Sequence, residues 1–279
     1  MTERRRGSAL LGAAALAGVG MLVYLERRRA LRRQPAAGAK QREVTNLALA
    51  GSSALAVHVA MTPFVRPLAR RVVRDRTGLV QQLRAPEWVR DALAVILLDY
   101  TLYWWHVIEH RVPSLYRFHQ VHHADLEMDT STAVRFHAGE FVASLPWRAA
   151  QIRIIGVSPR ALAIWQRLTA LSVLFHHSNV RLPVALERGL ARVVMTPRLH
   201  GIHHSTVAEE QSSNWSSGLT IWDRLHGSYR EMEASRVPTI GVPYARGADD
   251  VTLARSLAMP FEPLAAWRLP DGTVPSCTG

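Results

Sequence analysis

Thirteen of the 279 residues are histidine, and most of them fall into short, regular strings. His106 and His110 stand four apart in YWWHVIEHR. His119, His122 and His123 form H-x-x-H-H in RFHQVHH, and His200, His203 and His204 repeat that spacing in RLHGIHH. His176 and His177 are adjacent in LFHHSN, and His137 in VRFHAGE lies between the second and third groups. Residues three and four apart share one face of a helix, so each string presents its imidazoles together. Neutral imidazole is a good ligand for iron, zinc, nickel and copper. Eight or more of them overfill one coordination shell, so the pattern asks for two metals. A chain of this composition carries about 0.03 H-x-x-H-H strings by chance. Two are present.

Other histidines read as packing residues: His58, alone on an apolar helix, and His226, after IWDRL. In the adjacent pair, His177 beside Ser178-Asn179 is the expected ligand. His106-Val-Ile-Glu109-His110 is also an H-x-x-E-H string, in which the glutamate would activate a zinc-bound water. That reading gives a zinc-dependent membrane hydrolase and leaves the other clusters idle. A third reading is a non-enzymatic, histidine-rich metal-binding membrane protein. Asp99, seven residues before His106 on the same helix face, is the expected acceptor for an imidazole N–H. Asn179 and Asp223 are further candidates for that task.

The elements that must carry these strings are apolar. Stretches run over 7–25, 45–65 and 92–105, the last leading straight into His106. Two more, 138–157 and 161–175, are interrupted by Arg148, Arg153, Gln166 and Arg167 and read as a hairpin that enters a membrane and returns. Segment 66–90, broken by Pro67, Gly78 and Pro86, is expected along the bilayer surface. Stretch 182–195 is short enough to lie at the interface. The number of crossings between any two clusters is then even, so all of them reach one side. From about residue 231 the periodicity fades into a tail expected to be partly ordered, with one short helix over 252–259.

Composition removes several classes. The single cysteine, Cys277, excludes a disulfide framework and a cysteine-rich metal site. The net charge of +12 comes with no basic-aromatic stripe, so no nucleic-acid partner is expected. Arginines flanking apolar segments suit anionic headgroups. Segments 26–44 and 66–90 each hold seven basic residues, so charge alone does not choose a side of the membrane.

At DYTLYWWHVIEH (99–110), RFHQVHH (117–123), STAVRFHAGE (131–140), FHHSNVRLP (175–183), RLHGIHHS (198–205) and NWSSGLTIWDRLHGSY (214–229), the sequence resembles the fatty acid hydroxylase and sterol desaturase superfamily. These are integral-membrane, non-haem di-iron enzymes, and the likeness covers about residues 90–230. It implies an all-α membrane bundle with a cytosolic histidine-rich helical cap. N-terminal membrane helices and their arginine-rich connection would occupy 1–90, the catalytic unit 91–230 and the tail 231–279. It also implies two iron ions, O2 as co-substrate and electrons from an external reductase or carrier protein, with no room in either flank for a fused cytochrome b5 domain.

The ligands carried over are His106, His110, His119, His122, His123, His137, His177, His200, His203 and His204, with Asp99 and Asn179 as supporting catalytic residues. The substrate would be a membrane lipid, such as a sterol or a fatty acyl chain, that is hydroxylated or desaturated between the apolar helices. Trp104, Trp105 and Phe136 are candidates for its entrance. The site is expected to face the cytoplasm from a bacterial inner membrane. Members of the superfamily commonly have phenylalanine and threonine where His226 and Ser228 stand, a departure that leaves the metal set intact.

Overall fold

A computed structural model describes residues 3–34 and 38–276, with the side chains of 3–12, 14 and 15 excepted. Cys277 lies outside the described residues. Among the described residues every regular element is helical, and only isolated bridges such as Ala30 to Val180 and Ser205 to Ile240 have strand character.

Helix α1 spans Glu3–Arg28 and α2 spans Ala39–Ala56. A π-helical turn, Val57–Met61, joins α2 to α3 (Thr62–Arg74) without a break. This continuous helix, Ala39–Arg74, is the one helix among the described residues long and apolar enough to cross a membrane. The stretches 92–105, 138–157 and 161–175 do not reach that length and composition, and 7–25 falls partly on residues whose side chains are not described.

Pro67 does not break α3, contrary to the expectation for 66–90. A proline inside a helix costs about 3 kcal/mol. Val65, Ala69 and Val72 lie buried on one face of α3, and each valine returns roughly 1.5–3 kcal/mol when fully buried. The opposite face exposes Arg66, Arg70 and Arg74.

Helix α4 (Glu87–Arg111) carries the first two histidines and packs against α8 (Pro159–His177). Short helices α6 (Ala138–Ala143) and α7 (Leu145–Gln151), with a π turn over Ile152–Gly156, lead the chain into α8, and α7 and α8 both pack on α4. Gly156 turns the chain at φ 87°, and a Cβ on the facing Gly78 would fall 2.4 Å from the Gly156 Cα. Only glycine permits that backbone approach. Ser158 caps α8 by accepting from Ala161 N at 2.9 Å, a contact worth about 1 kcal/mol. Leu98, Ile152, Ile155, Leu162 and Trp165 join the buried face of α3 in the main core.

The sequence Arg111-Val112-Pro113 sets the corner before α5 (Pro113–His123). Val112 is extended, as the residue before proline prefers, and Pro113 opens the new helix. After α8 come α9 (Val184–Leu190), α10 (Pro197–His203), α11 (Ala208–Gln211) and α12 (Ile221–Leu225). The tail packs more closely than expected. Gly241 N donates to His204 O at 3.0 Å, and Trp267 Nε1 donates to Thr206 O at 2.9 Å. Helix α13 (Leu253–Ala258) presents Ser256 to the buried Arg135. Val242, Ala245 and Val251 bury against Ala124, and that apolar contact is the reason the tail orders.

Candidate metal centre

Nine histidines converge where α4, α5, α8 and α10 meet. They divide into two groups whose nitrogens lie within 4.8 Å of one another. The first holds His106, His110, His119, His123 and His203; the second holds His122, His177, His200 and His204. The two H-x-x-H-H strings divide in opposite senses. On α5 the four-apart pair His119 and His123 enters the first group and His122 the second. On α10 the four-apart pair His200 and His204 enters the second group and His203 the first. Each string therefore bridges both groups. The remaining i,i+4 pair on α4 completes the first group, and His177 completes the second.

The ring orientations are those of metal ligands. In the first group the Nε2 atoms of His110, His119, His123 and His203 are buried without a hydrogen-bond partner. In the second, Nε2 of His177 lies 2.9 Å from that of His122 and 3.1 Å from that of His200, and the His200 and His204 Nε2 atoms are 3.1 Å apart. No arrangement of neutral imidazole protons satisfies all these atoms at once, whereas a cation among them would.

Four of the outer nitrogens are held by main-chain carbonyls, whereas Nδ1 of His200 and of His204 is buried without a partner. Nδ1 of His106 meets Trp215 O at 2.7 Å, His122 meets Arg135 O at 3.1 Å, His177 meets Val173 O at 2.9 Å and His203 meets Ser213 O at 2.9 Å. An Nδ1–H donating outward fixes the tautomer that leaves Nε2 free to ligate. Burial drives the imidazoles of His122, His123, His200, His203 and His204 well below their usual pKa, with neighbouring histidines adding to it. They stay neutral, the form a cation requires.

Asp99 does not reach an imidazole. It accepts from Leu219 N at 3.1 Å and Trp222 Nε1 at 2.7 Å. Asp223 accepts from Trp215 N at 2.8 Å and Ser216 N at 3.0 Å. Both acids brace the loop whose Ser213 and Trp215 carbonyls hold His203 and His106, so they act one step further out than the sequence suggests. Asn179 also stands off. It exchanges hydrogen bonds with the backbone of Arg32, 2.8 and 2.9 Å, and pins the segment after α1. His137 is in neither group. Its Nδ1 accepts from Gly139 N at 3.0 Å to cap α6, and its ring lies between Phe118 and Phe261.

Sequence reasoning missed Glu140, although the R-F-H-A-G-E string containing it stood out. Its Oε1 lies 3.3 Å from His119 Nδ1, and Glu109 Oε2 lies 4.0 Å from the same atom. Burial, with Glu140 beside it, raises the Glu109 carboxyl well above its usual pKa. His176 also lies close, its ring centroid 4.1 Å from that of His200. The outer carbonyls had no side-chain signal to find. His226 packs on Tyr100 and Tyr103, and His58 points away from the centre on the exposed side of its turn.

Two spaces reach the histidines. A mainly apolar cavity of about 410 Å³ exposes His106, His119, His122, His176, His177 and His200, with Trp105 and Phe136 in its wall. Val57 and Met61, at either end of the first π turn, also line it. Trp104 instead packs on His226. A second cleft, of about 220 Å³, reaches His110 between Arg111, Tyr116, Gln211, Trp215 and Trp267.

Residues 92–228 match the fatty acid hydroxylase family. The ornithine lipid hydroxylase OlsE of Rhizobium tropici is 29% identical over 54% of this chain and 44% of its own length. A cholesterol 25-hydroxylase-like protein of Danio rerio is 29% identical over 49% of this chain and 54% of its own. Human alkylglycerol monooxygenase is 26% identical over 52% and 31%. The matches thus span about half or less of these relatives' lengths. No solved structure matches the chain.

Proposed function

Through residues 92–228 the chain belongs to the fatty acid hydroxylase family, and from that premise we propose that it is an O2-dependent hydroxylase of a membrane lipid that works with two iron ions. The observation that carries the reading is the pair of histidine groups with facing Nε2 atoms, two imidazoles in each braced at Nδ1 by main-chain carbonyls, opening onto an apolar cavity. The names of the relatives, all lipid hydroxylases or monooxygenases, support a lipid as substrate. Hydroxylation is preferred over desaturation on the same ground.

In this proposal His106, His110, His119, His123 and His203 hold one ion and His122, His177, His200 and His204 the other. When bound, the irons supply dioxygen reduction and removal of hydrogen from an unactivated C–H bond. The chain supplies position and exclusion of water. Phe136 stacks on His122 at 4.3 Å and 7°, so the cavity side of the second group is sheathed in aromatic surface. Glu140 keeps His119 directed inward. The cleft at His110 offers a separate approach for water and for an external electron-donor protein, away from the lipid. Helix Ala39–Arg74 anchors the chain in the bacterial inner membrane with the histidines toward the cytoplasm, where the reducing environment suits iron.

The test is metal analysis with product analysis. Protein purified in detergent from iron-supplied cells should hold about two metals per chain, because nine imidazoles overfill one shell. Lipids from expressing cells should gain one oxygen atom only when O2 is present. A single metal, unaffected by removal of His200, His203 and His204, would falsify the two-ion reading. Glu109→Gln separates the hydrolase reading: a general base would cost orders of magnitude in rate with metal still bound, whereas here substantial O2-dependent turnover should remain.

A further inference from the structure

The apolar cavity contains one guanidinium. Arg148, on α7, lines it with Ser144, Trp165 and Gln166. Its Nη1 donates to Gln151 Oε1 at 2.7 Å, and its Cζ lies 4.3 Å from the Trp165 ring centroid. Gln151 in turn donates to Thr101 Oγ1 on α4 at 2.5 Å. The plane of the guanidinium is therefore fixed, yet that acceptor takes one of its five donors, and the side chain lines the cavity.

Among the described residues no carboxylate stands within ion-pair distance of Arg148. Glu109, which acts on it from further away, is turned toward His119. Arg135, which is buried away from the cavity, is held differently. Its three nitrogens donate to Val121 O, Asn46 Oδ1 and Ser256 Oγ. An enclosed cation without a paired anion is costly, and an ionisable group in so apolar a lining marks a binding function.

We infer that Arg148 is the anchor for an anionic oxygen head group, carboxylate or phosphate, of the lipid that enters this cavity. A planar fork held by stacking suits such a group better than a flexible ammonium does. Gln166 is the neutral polar neighbour that completes the polar end. Arg148 lines the same cavity as His106, His119, His122 and His177, so a lipid held there by its head lays its chain carbons beside the histidines. The inference rests on the oxygenase reading only for what happens at those carbons; the binding stands on Arg148 alone.

The experiment is equilibrium binding of radiolabelled hexadecanoic acid, hexadecyl phosphate and methyl hexadecanoate to the full chain in detergent. The acid or the phosphate should bind ~10–100-fold tighter than the ester. A preference for the acid alone assigns the head to a free fatty acid, and one for the phosphate assigns it to a phospholipid-like donor. Arg148→Gln should abolish the preference and leave ester binding and metal content unchanged. Arg148→Met, which keeps its stem on Trp165, replaces that variant where it does not fold.

Equal binding of all three ligands by the wild type overturns the inference. So does a variant that weakens ester and acid alike, because Arg148 would then serve packing only. Head-group selection without any O2-dependent product would end the oxygenase reading and leave this one. Turnover of uncharged lipids with no head-group preference would do the reverse.

Discussion

The two histidine groups are built from the same strings but not to the same number. The first has five imidazoles and the second has four. The first reaches a polar cleft through His110 and the apolar cavity through His106 and His119, while three of the four members of the second line that cavity. An ion held by fewer side chains keeps more positions for exchangeable ligands, which is how catalytic metal sites differ from closed ones. On the proposed function, the difference would give the lipid-facing half of the reaction to the second group and a larger share of metal retention to the first.

The strongest way to break that comparison is to remove one ligand from each. His204→Ala leaves three imidazoles in the second group, and turnover should fall by more than about 100-fold with loss of metal, since even outer partners cost 10–100-fold. His123→Ala leaves four in the first group, and metal loss should be smaller. Metal content and lipid product measured on both variants check this; equal metal loss removes the distinction. The double variant should lose less than the two single losses combined, because the groups share strings.

Glu140→Gln probes the brace on His119 alone. About 10-fold lower activity is expected, with the drop in metal confined to the five-histidine group. Unchanged activity and metal content would make the 3.3 Å contact incidental.

Acid should open both groups of the metal-free protein. The folded imidazoles have lowered pKa values, whereas unfolded histidine titrates near about 6.5. Below that pH the unfolded chain binds more protons than the folded one, so stability falls as pH falls. Thermal unfolding from pH 8 to pH 5 should show a declining midpoint without metal. With metal the decline should begin at lower pH, because bound cations compete with protons. A flat metal-free profile would contradict the burial.

The smallest effects belong outside both groups. His226→Phe keeps a ring against Tyr100 and Tyr103, and His58→Ala removes an exposed side chain. Both should leave activity near wild type and stability within about 0.5 kcal/mol. A loss comparable to that of His204→Ala would mean the centre extends beyond the nine histidines.

The sequence by itself determined the ligand types and their local geometry. Helical spacing is a property of neighbours, so H-x-x-H-H on α5 and α10 was legible as two imidazole-bearing faces before any packing was known. The break between the apolar stretches 138–157 and 161–175 was legible in the same way. The continuity of Ala39–Arg74 through Pro67 was not, because it depends on what Val65 and Val72 bury against.

Only the tertiary structure decided which histidine joins which group. The opposite division of the two strings follows from how α5 and α10 approach across the bundle, and no sequence period encodes that. It also moved Asp99 and Asn179 away from the imidazoles and His137 out to the cap of α6. In their place it put main-chain carbonyls of Ser213, Trp215, Arg135 and Val173. A carbonyl is present at every residue, so its choice as a partner leaves no mark in the order of side chains.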